Sequence, residues 1–413
     1  MQSLKSNSIL QNQLKLGARH QPSRLNSTFS VDQKSFSGYI ADTRTMIARA
    51  RNIIVNNQVD IDTPQPELGQ IIEGNSPFEL TPENTFQSGK NKPYRRGVLL
   101  IHGLSDSPYF MRHLGNLFRE NGFRVMAILL PGHGTQPGDL LQVRWHEWVK
   151  AVAFGVDQLA KEVDDVYLAG FSAGGALSVH QSYIDQRIKG LFLFAPALQI
   201  SPKAALANLH KASSWLLPST KWISIHPDWD CYKYESFSKN AAAQIHALTR
   251  VINKQIKQNS LTLPIFSVVS QDDTTVNTPA TLKFMMQAQH PANKLIYYFS
   301  DAGSIPDWHG AGQFEAVNGV FPDAGIIGSA HTAIVLPAKD EYYGVNGNYR
   351  NCLHYLPNRL EDFITCQQDK QQTLFGEITT ENLGKGLLCR LMYNPSFSAL
   401  QTALQQFIAR LDG

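Results

Sequence analysis

Ser172 is the residue through which this chain could do covalent chemistry. It sits in Gly170-Phe171-Ser172-Ala173-Gly174, a G-x-S-x-G pentapeptide. The apolar run Val166-Tyr167-Leu168-Ala169 before it reads as a buried strand, and Gly175-Ala176-Leu177-Ser178-Val179-His180 after it as the start of a helix. A strand feeding straight into a helix forces a sharp turn at the serine, and small neighbours let the backbone pass. Such a turn holds the hydroxyl over the strand ends, with the main chain at a helix N-terminus where negative charge is favoured. The bland alternative is a glycine-rich turn with a capping serine. Strand before and helix after favour the nucleophile.

A serine hydroxyl is a poor nucleophile at neutral pH, so it needs a base, and the base needs an orienting acid. The segment Ser270-Gln271-Asp272-Asp273-Thr274-Thr275-Val276 follows an apolar strand and offers the acid. Asp273 is preferred to Asp272, because its spacing returns Val276 to the core. The other acid is then expected to be solvated or to cap the next helix. Only histidines beyond the last strand fit the order Ser…Asp…His, which leaves His309, His331 and His354. The small residues Gly328-Ser329-Ala330 would let a loop bring His331 into a tight site, so His331 is favoured over His309. A tetrahedral intermediate also needs main-chain donors. Ala173, next to the nucleophile, is one. Leu104, in Ile101-His102-Gly103-Leu104-Ser105, is the other, with Gly103 allowing the close turn. His102 is expected to support that loop, and His133 to belong to a turn without a catalytic part.

The elements that position these residues alternate. Continuous apolar runs at 97–101, 124–130, 166–169, 191–196, 264–270 and 294–299 read as strands covered on both faces. Helical stretches separate most of them, which argues for a mainly parallel sheet with helices on its faces. The pattern predicts a polar, disordered tail over 1–36 and an α/β core over 37–197. A helical cap follows over 198–260, and the rest of the core with a C-terminal extension over 261–413. The cap lies where α/β enzymes bind ligands and is rich in aromatics: Trp215, Trp222, Trp229, Tyr232, Tyr234 and Phe237. A long glycine-rich loop is expected from Asp301 to Ser329.

With 413 residues, 43% of them hydrophobic, there is ample chain for a large core. A net charge of +3 implies no nucleic-acid partner. No apolar run approaches a membrane span. Cys231, Cys352, Cys366 and Cys389 are widely spaced and suggest free thiols in a reducing compartment, neither a zinc site nor a disulfide framework. A cytoplasmic location is the simplest expectation. Residues 1–31 carry no acidic side chain, so import or export through this tail stays open.

Four segments together resemble the α/β-hydrolase superfamily: HGLSDSPY at 102–109, LLPGHGT at 129–135, GFSAGG at 170–175 and the Asp273 segment. They are most similar to bacterial carboxylesterases, monoacylglycerol-lipase-like and S33-type hydrolases. YYGVNGNY at 342–349 and MYNPSF at 392–397 resemble a bacterial branch in which a histidine stands shortly before such a glycine-tyrosine segment, which supports His331. Two features depart from the family: Ser270 replaces a glycine, and the insertion before His331 is long. The resemblance implies about eight strands, a Ser172–His331–Asp273 triad, and ester or lipid-like substrates with no metal or cofactor. An acyltransferase, thioesterase or aminopeptidase on the same machinery remains open; the last would use Asp228, Asp230 or Glu235 to hold an α-ammonium. So does a non-catalytic binding protein, against which the complete set of reactive residues argues.

Overall fold

The computed structural model describes residues 12–30, 35–55, 66–83, 92–199 and 218–411. In chain order the elements begin with α1 (Phe36–Val55), α2 (Leu68–Asn75), β1 (Phe78–Leu80) and β2 (Tyr94–Ile101). Then come α3 (Arg112–Glu120), β3 (Arg124–Ile128), α4 (Trp145–Glu162), β4 (Val163–Phe171), α5 (Ala173–Ile184) and β5 (Ile188–Phe194). A short antiparallel pair, β6 (Trp222–Ser224) and β7 (Phe237–Ser238), precedes α6 (Lys239–Gln258). The sheet resumes with β8 (Ile265–Ser270), α7 (Thr278–Gln287), β9 (Lys294–Phe299) and β10 (Gln313–Asn318). The extension carries α8 (Leu360–Gln368), β11 (Leu374–Gly376), α9 (Thr380–Lys385), β12 (Leu388–Arg390) and α10 (Phe397–Arg410).

Among the described residues, eight strands form one sheet in the order β1-β3-β2-β4-β5-β8-β9-β10. All neighbours run parallel except β1, which pairs antiparallel with β3 at one edge. The inner strands are apolar without alternation because helices cover both faces. Phe118 of α3 and Phe407 of α10 both pack edge-on against Phe192 of β5, at 4.7 and 5.4 Å between ring centres, which places these two helices on one face. On α4, Gly155 lets the helix approach Leu99 and Ile128, where a Cβ would lie 2.6 Å from a Leu99 methyl. β4 sits between β2 and β5, so its carboxyl end opens in the middle of the sheet.

Three expectations are corrected. Residues 313–318 are no loop: they form β10, the last parallel strand. This strand escapes a reading by hydropathy because it is an edge strand with neither face fully buried. Of the expected tail, residues 1–11 and 31–34 lie outside the described residues, and residues 12–30 pack on the body. The Arg19 guanidinium pairs with Asp228 at 3.1 Å, Ser23 N–H donates to Asp139 at 2.6 Å, and Asn26 donates to the His133 carbonyl at 2.7 Å. Third, Cys352 and Cys366 form a disulfide, while Cys231 and Cys389 are free and buried. Of the cap, 200–217, with Trp215, lie outside the described residues. Trp222, Tyr232 and Tyr234 are buried, and α6 packs along α5. No helix among the described residues is long and apolar enough to cross a membrane.

The bridged cysteines are 14 residues apart. Closing a loop of that size restricts the unfolded chain and is worth about 3 kcal/mol. Cys352→Ser is therefore expected to lower the melting temperature measured by calorimetry, and reductant to do the same to the wild type but not to the variant.

Candidate active site

The turn between β4 and α5 is built by what its glycines omit. A Cβ on Gly170 would lie 2.3 Å from the Gly174 carbonyl carbon, and one on Gly174 would lie 2.0 Å from the Ile101 carbonyl oxygen. With both absent, α5 starts directly over the end of β2. Ser172 is left at φ 53°, ψ −114°, a conformation a side-chain-bearing residue adopts only when its surroundings impose it. Those surroundings are main-chain bonds to the next strand: Ser172 N–H donates to the Phe194 carbonyl at 2.9 Å, and Ala197 N–H to the Ser172 carbonyl at 2.9 Å.

His331 comes from the loop after β10, in a short 3₁₀ turn. Its Nε2 lies 3.0 Å from Ser172 Oγ and its Nδ1 2.6 Å from Asp273 Oδ2. The ring stacks on Phe171 at 5.1 Å between centres. Asp273 stands just past β8, and its other oxygen accepts the N–H groups of Thr275 and Val276 at 2.8 and 2.9 Å. Burial alone would push this carboxyl up. The His331 imidazole and the two N–H groups outweigh that and hold it below its ordinary value. With Nδ1–H donated to Asp273, Nε2 is free to accept the Ser172 hydroxyl.

Asp272 does not cap the next helix, and it is half-buried. It accepts Ser300 Oγ at 2.6 Å and Ser329 N–H at 3.0 Å, which moors the segment leading to His331. The cap of α7 is Asn277 instead. His309 is exposed on the connection between β9 and β10 and does not join the site.

Leu104 and Ala173 both line the cavity beside Ser172. Among the described residues, neither of their N–H groups donates to another protein group. The Leu104 loop is braced from three sides. His102 Nε2 accepts Leu130 N–H at 3.0 Å, His133 Nε2 accepts Ser105 N–H at 3.0 Å, and the Ser105 carbonyl accepts Tyr234 N–H at 2.8 Å. Burial holds both imidazoles well below the ordinary histidine range, His133 to about 4, so both stay neutral acceptors.

The cavity measures about 520 Å³. Its lining includes the apolar Leu104, Ala197, Phe237, Ile245 and Val276. It is more polar than an acyl pocket read from the cap aromatics alone, because it also carries Lys233, Glu235, Asn351, His354, Glu377 and Arg390. Lys233 pairs with the buried Asp106. Asn351, His354, Glu377 and Arg390 come from the C-terminal extension. His354, a candidate base by chain order, lines the cavity but does not contact Ser172, and the other three were not among the sequence candidates. No short motif marks them, because packing of distant segments alone brings them here. The only group of metal-ligating type among the described residues is Cys352, Cys366 and Cys389, two of which are bridged.

Of the cap acids, only Glu235 lines the cavity. Its oxygens accept the Tyr349 hydroxyl at 2.8 Å and Trp229 N–H at 3.0 Å. Burial, then repulsion from Asp228 and Asp230, raises its carboxyl from 4.5 to about 8. A carboxyl raised on folding stabilises the fold fully below its unfolded value and loses that contribution as pH climbs through the folded one. Glu235→Gln is therefore expected to melt increasingly above wild type as pH rises from about 5 to about 9, measured by calorimetry.

Residues 92–301 match the family model described as serine aminopeptidase, S33. The chain is 28% identical over 181 residues to a thermostable monoacylglycerol lipase of Bacillus sp. (strain H-257), covering 44% of this chain and 71% of that protein. It is 23% identical over 224 residues to a carboxylesterase of Bacillus subtilis (strain 168), covering 54% and 87%. A soluble variant of the monoglyceride lipase from Saccharomyces cerevisiae, solved with a substrate analog, aligns at 16% identity over 54% of this chain and 82% of that one, with a TM-score of 0.41. Ser172, Asp273, Leu104 and Ala173 fall inside the range matched by the family model; His331 and the extension lie beyond it.

Proposed function

Because this chain belongs to the serine aminopeptidase S33 family, with the α/β-hydrolase fold, we propose that it is a serine hydrolase cleaving carboxylic esters of small, lipid-like molecules. The observation that carries the reading is the Ser172–His331–Asp273 chain of contacts at 3.0 and 2.6 Å, opening on a cavity with two unengaged main-chain N–H groups. In this reading His331 Nε2 takes the Ser172 proton as Oγ attacks the ester carbonyl. The N–H groups of Leu104 and Ala173 receive the oxyanion. His331 then returns the proton to the leaving alcohol, and an acyl-Ser172 ester remains. Water, deprotonated by the same imidazole, attacks that ester and releases the acid. Asp273 keeps the ring in the tautomer this requires and stabilises the imidazolium. The apolar lining residues suit an acyl chain.

The family description favours a second reading, an aminopeptidase. It needs an ionised carboxylate for the substrate's α-ammonium. Asp228 and Asp230 do not line the cavity. Of the carboxylates that do, Asp106 is paired with Lys233, Glu377 with Arg390, and Glu235 is raised to about 8 with both oxygens engaged. The ester reading is preferred for this reason. A panel of p-nitrophenyl esters of rising chain length, set against aminoacyl p-nitroanilides, tests it. Turnover of esters and not of anilides is expected; the reverse would replace this reading by the second. Cys352–Cys366 favours an oxidising compartment over the cytoplasm.

A further inference from the structure

Behind His331 stands a second buried carboxylate, supplied by the C-terminal extension. Glu377 follows β11 and is fully buried. One of its oxygens accepts the main-chain N–H of His331 at 3.0 Å and an Arg390 Nη2 hydrogen at 3.0 Å. The other lies 2.9 Å from Arg390 Nε and accepts Ile378 N–H at 2.9 Å. Arg390 ends β12, and its Nη2 also donates to Thr275 Oγ1 at 2.8 Å. Thr275 in turn gives its main-chain N–H to Asp273. One guanidinium–carboxylate pair thus reaches the loop of His331 through its backbone and the loop of Asp273 through a hydroxyl. β12 is itself held to the disulfide-bridged segment, where Arg390 N–H donates to the Asn351 carbonyl at 2.9 Å beside Cys352.

A buried ion pair contributes little net stability against an apolar filling of the same volume. What a planar fork on a carboxylate does supply is direction. Direction matters here, because proton transfer between Ser172 and His331 depends on contacts fixed to tenths of an ångström. We propose that Glu377 and Arg390 are positioning residues of the reaction, which lock the His331 backbone and the Asp273 loop into register from the extension. This rests on the reading that Ser172, His331 and Asp273 carry the chemistry.

The test is steady-state kinetics of the full chain on a p-nitrophenyl ester, for wild type, E377Q and the double variant E377Q/R390M, with melting temperatures recorded. The amide of E377Q still accepts the His331 N–H but leaves Arg390 without its counter-charge. The charged or polar groups around the imidazole are then Asp273 and Ser172, Asp272 bonded to Ser329 N–H, Arg390, and Lys233–Asp106, Glu235, His226 and His354 in the lining of the same cavity. An added net positive charge disfavours the imidazolium. In E377Q, kcat is expected to fall about ten-fold with KM within about two-fold, and the acid limb of kcat/KM to move to lower pH. Removing the excess charge in the double variant should return the limb towards wild type. A wild-type kcat, or a kcat loss that follows the melting temperature with the limb unmoved, would overturn the proposal. If E377Q does not fold, R390K serves, since one ammonium cannot span Glu377 and Thr275 together: the same kcat loss supports the proposal and a wild-type kcat overturns it. Absence of fluorophosphonate labelling in the wild type would instead remove the triad reading itself, and this inference with it.

Discussion

His331→Ala is expected to lose roughly 10⁴–10⁶-fold in kcat, the range seen when a single member of a serine–histidine pair is removed. The contacts explain the size. His331 is the only imidazole among the described residues within hydrogen-bonding distance of Ser172 Oγ, and without it the hydroxyl has no acceptor for its proton. His309→Ala is the matching control. This residue is exposed on the connection before β10, and its removal is expected to leave kcat within about two-fold. Kinetics on one p-nitrophenyl ester measures both. Loss of activity in the second variant instead of the first would move the base.

Asp273→Asn is expected to cost about 10⁴-fold in kcat while the protein keeps its fold. An amide nitrogen turned towards His331 Nδ1 presents a hydrogen where the ring must donate its own. The ring then keeps its proton on Nε2, facing Ser172, and cannot act as the base. Asp272→Asn tests the choice between the neighbours. Asp272 holds Ser300 and Ser329 and touches no reacting group, so its loss should cost less than about ten-fold. Equal losses would mean that both carboxylates act on the imidazole.

Much of this site is legible along the chain where the physics is local. Gly170 and Gly174 are needed because β4 must turn into α5 within a residue, and that requirement is written as a pentapeptide. Asp273 is separable from Asp272 because Val276 has to return to the core, where it is buried. His331 follows from chain order and from the small residues ahead of it. β10 is hidden because Gln313, Glu315 and Asn318 lie at a sheet edge and carry no apolar alternation. Pairing of Cys352 with Cys366 cannot be read from spacing alone, since Cys389 also comes within 4.8 Å of both in space. Glu377 and Arg390 are hidden for a deeper reason: each meets the site only after the extension has wrapped round the sheet. The ordered segment 12–30 is hidden likewise, because its polar side chains find partners such as Asp139 and Asp228 more than a hundred residues away.

The most direct test is labelling of the purified wild-type protein with a fluorophosphonate, followed by peptide mapping, with Ser172→Ala alongside. One adduct on Ser172, and none in the variant, is the result expected of a hydroxyl activated by His331. No adduct, or an adduct on another residue in a protein that hydrolyses esters, would contradict Ser172 as the nucleophile.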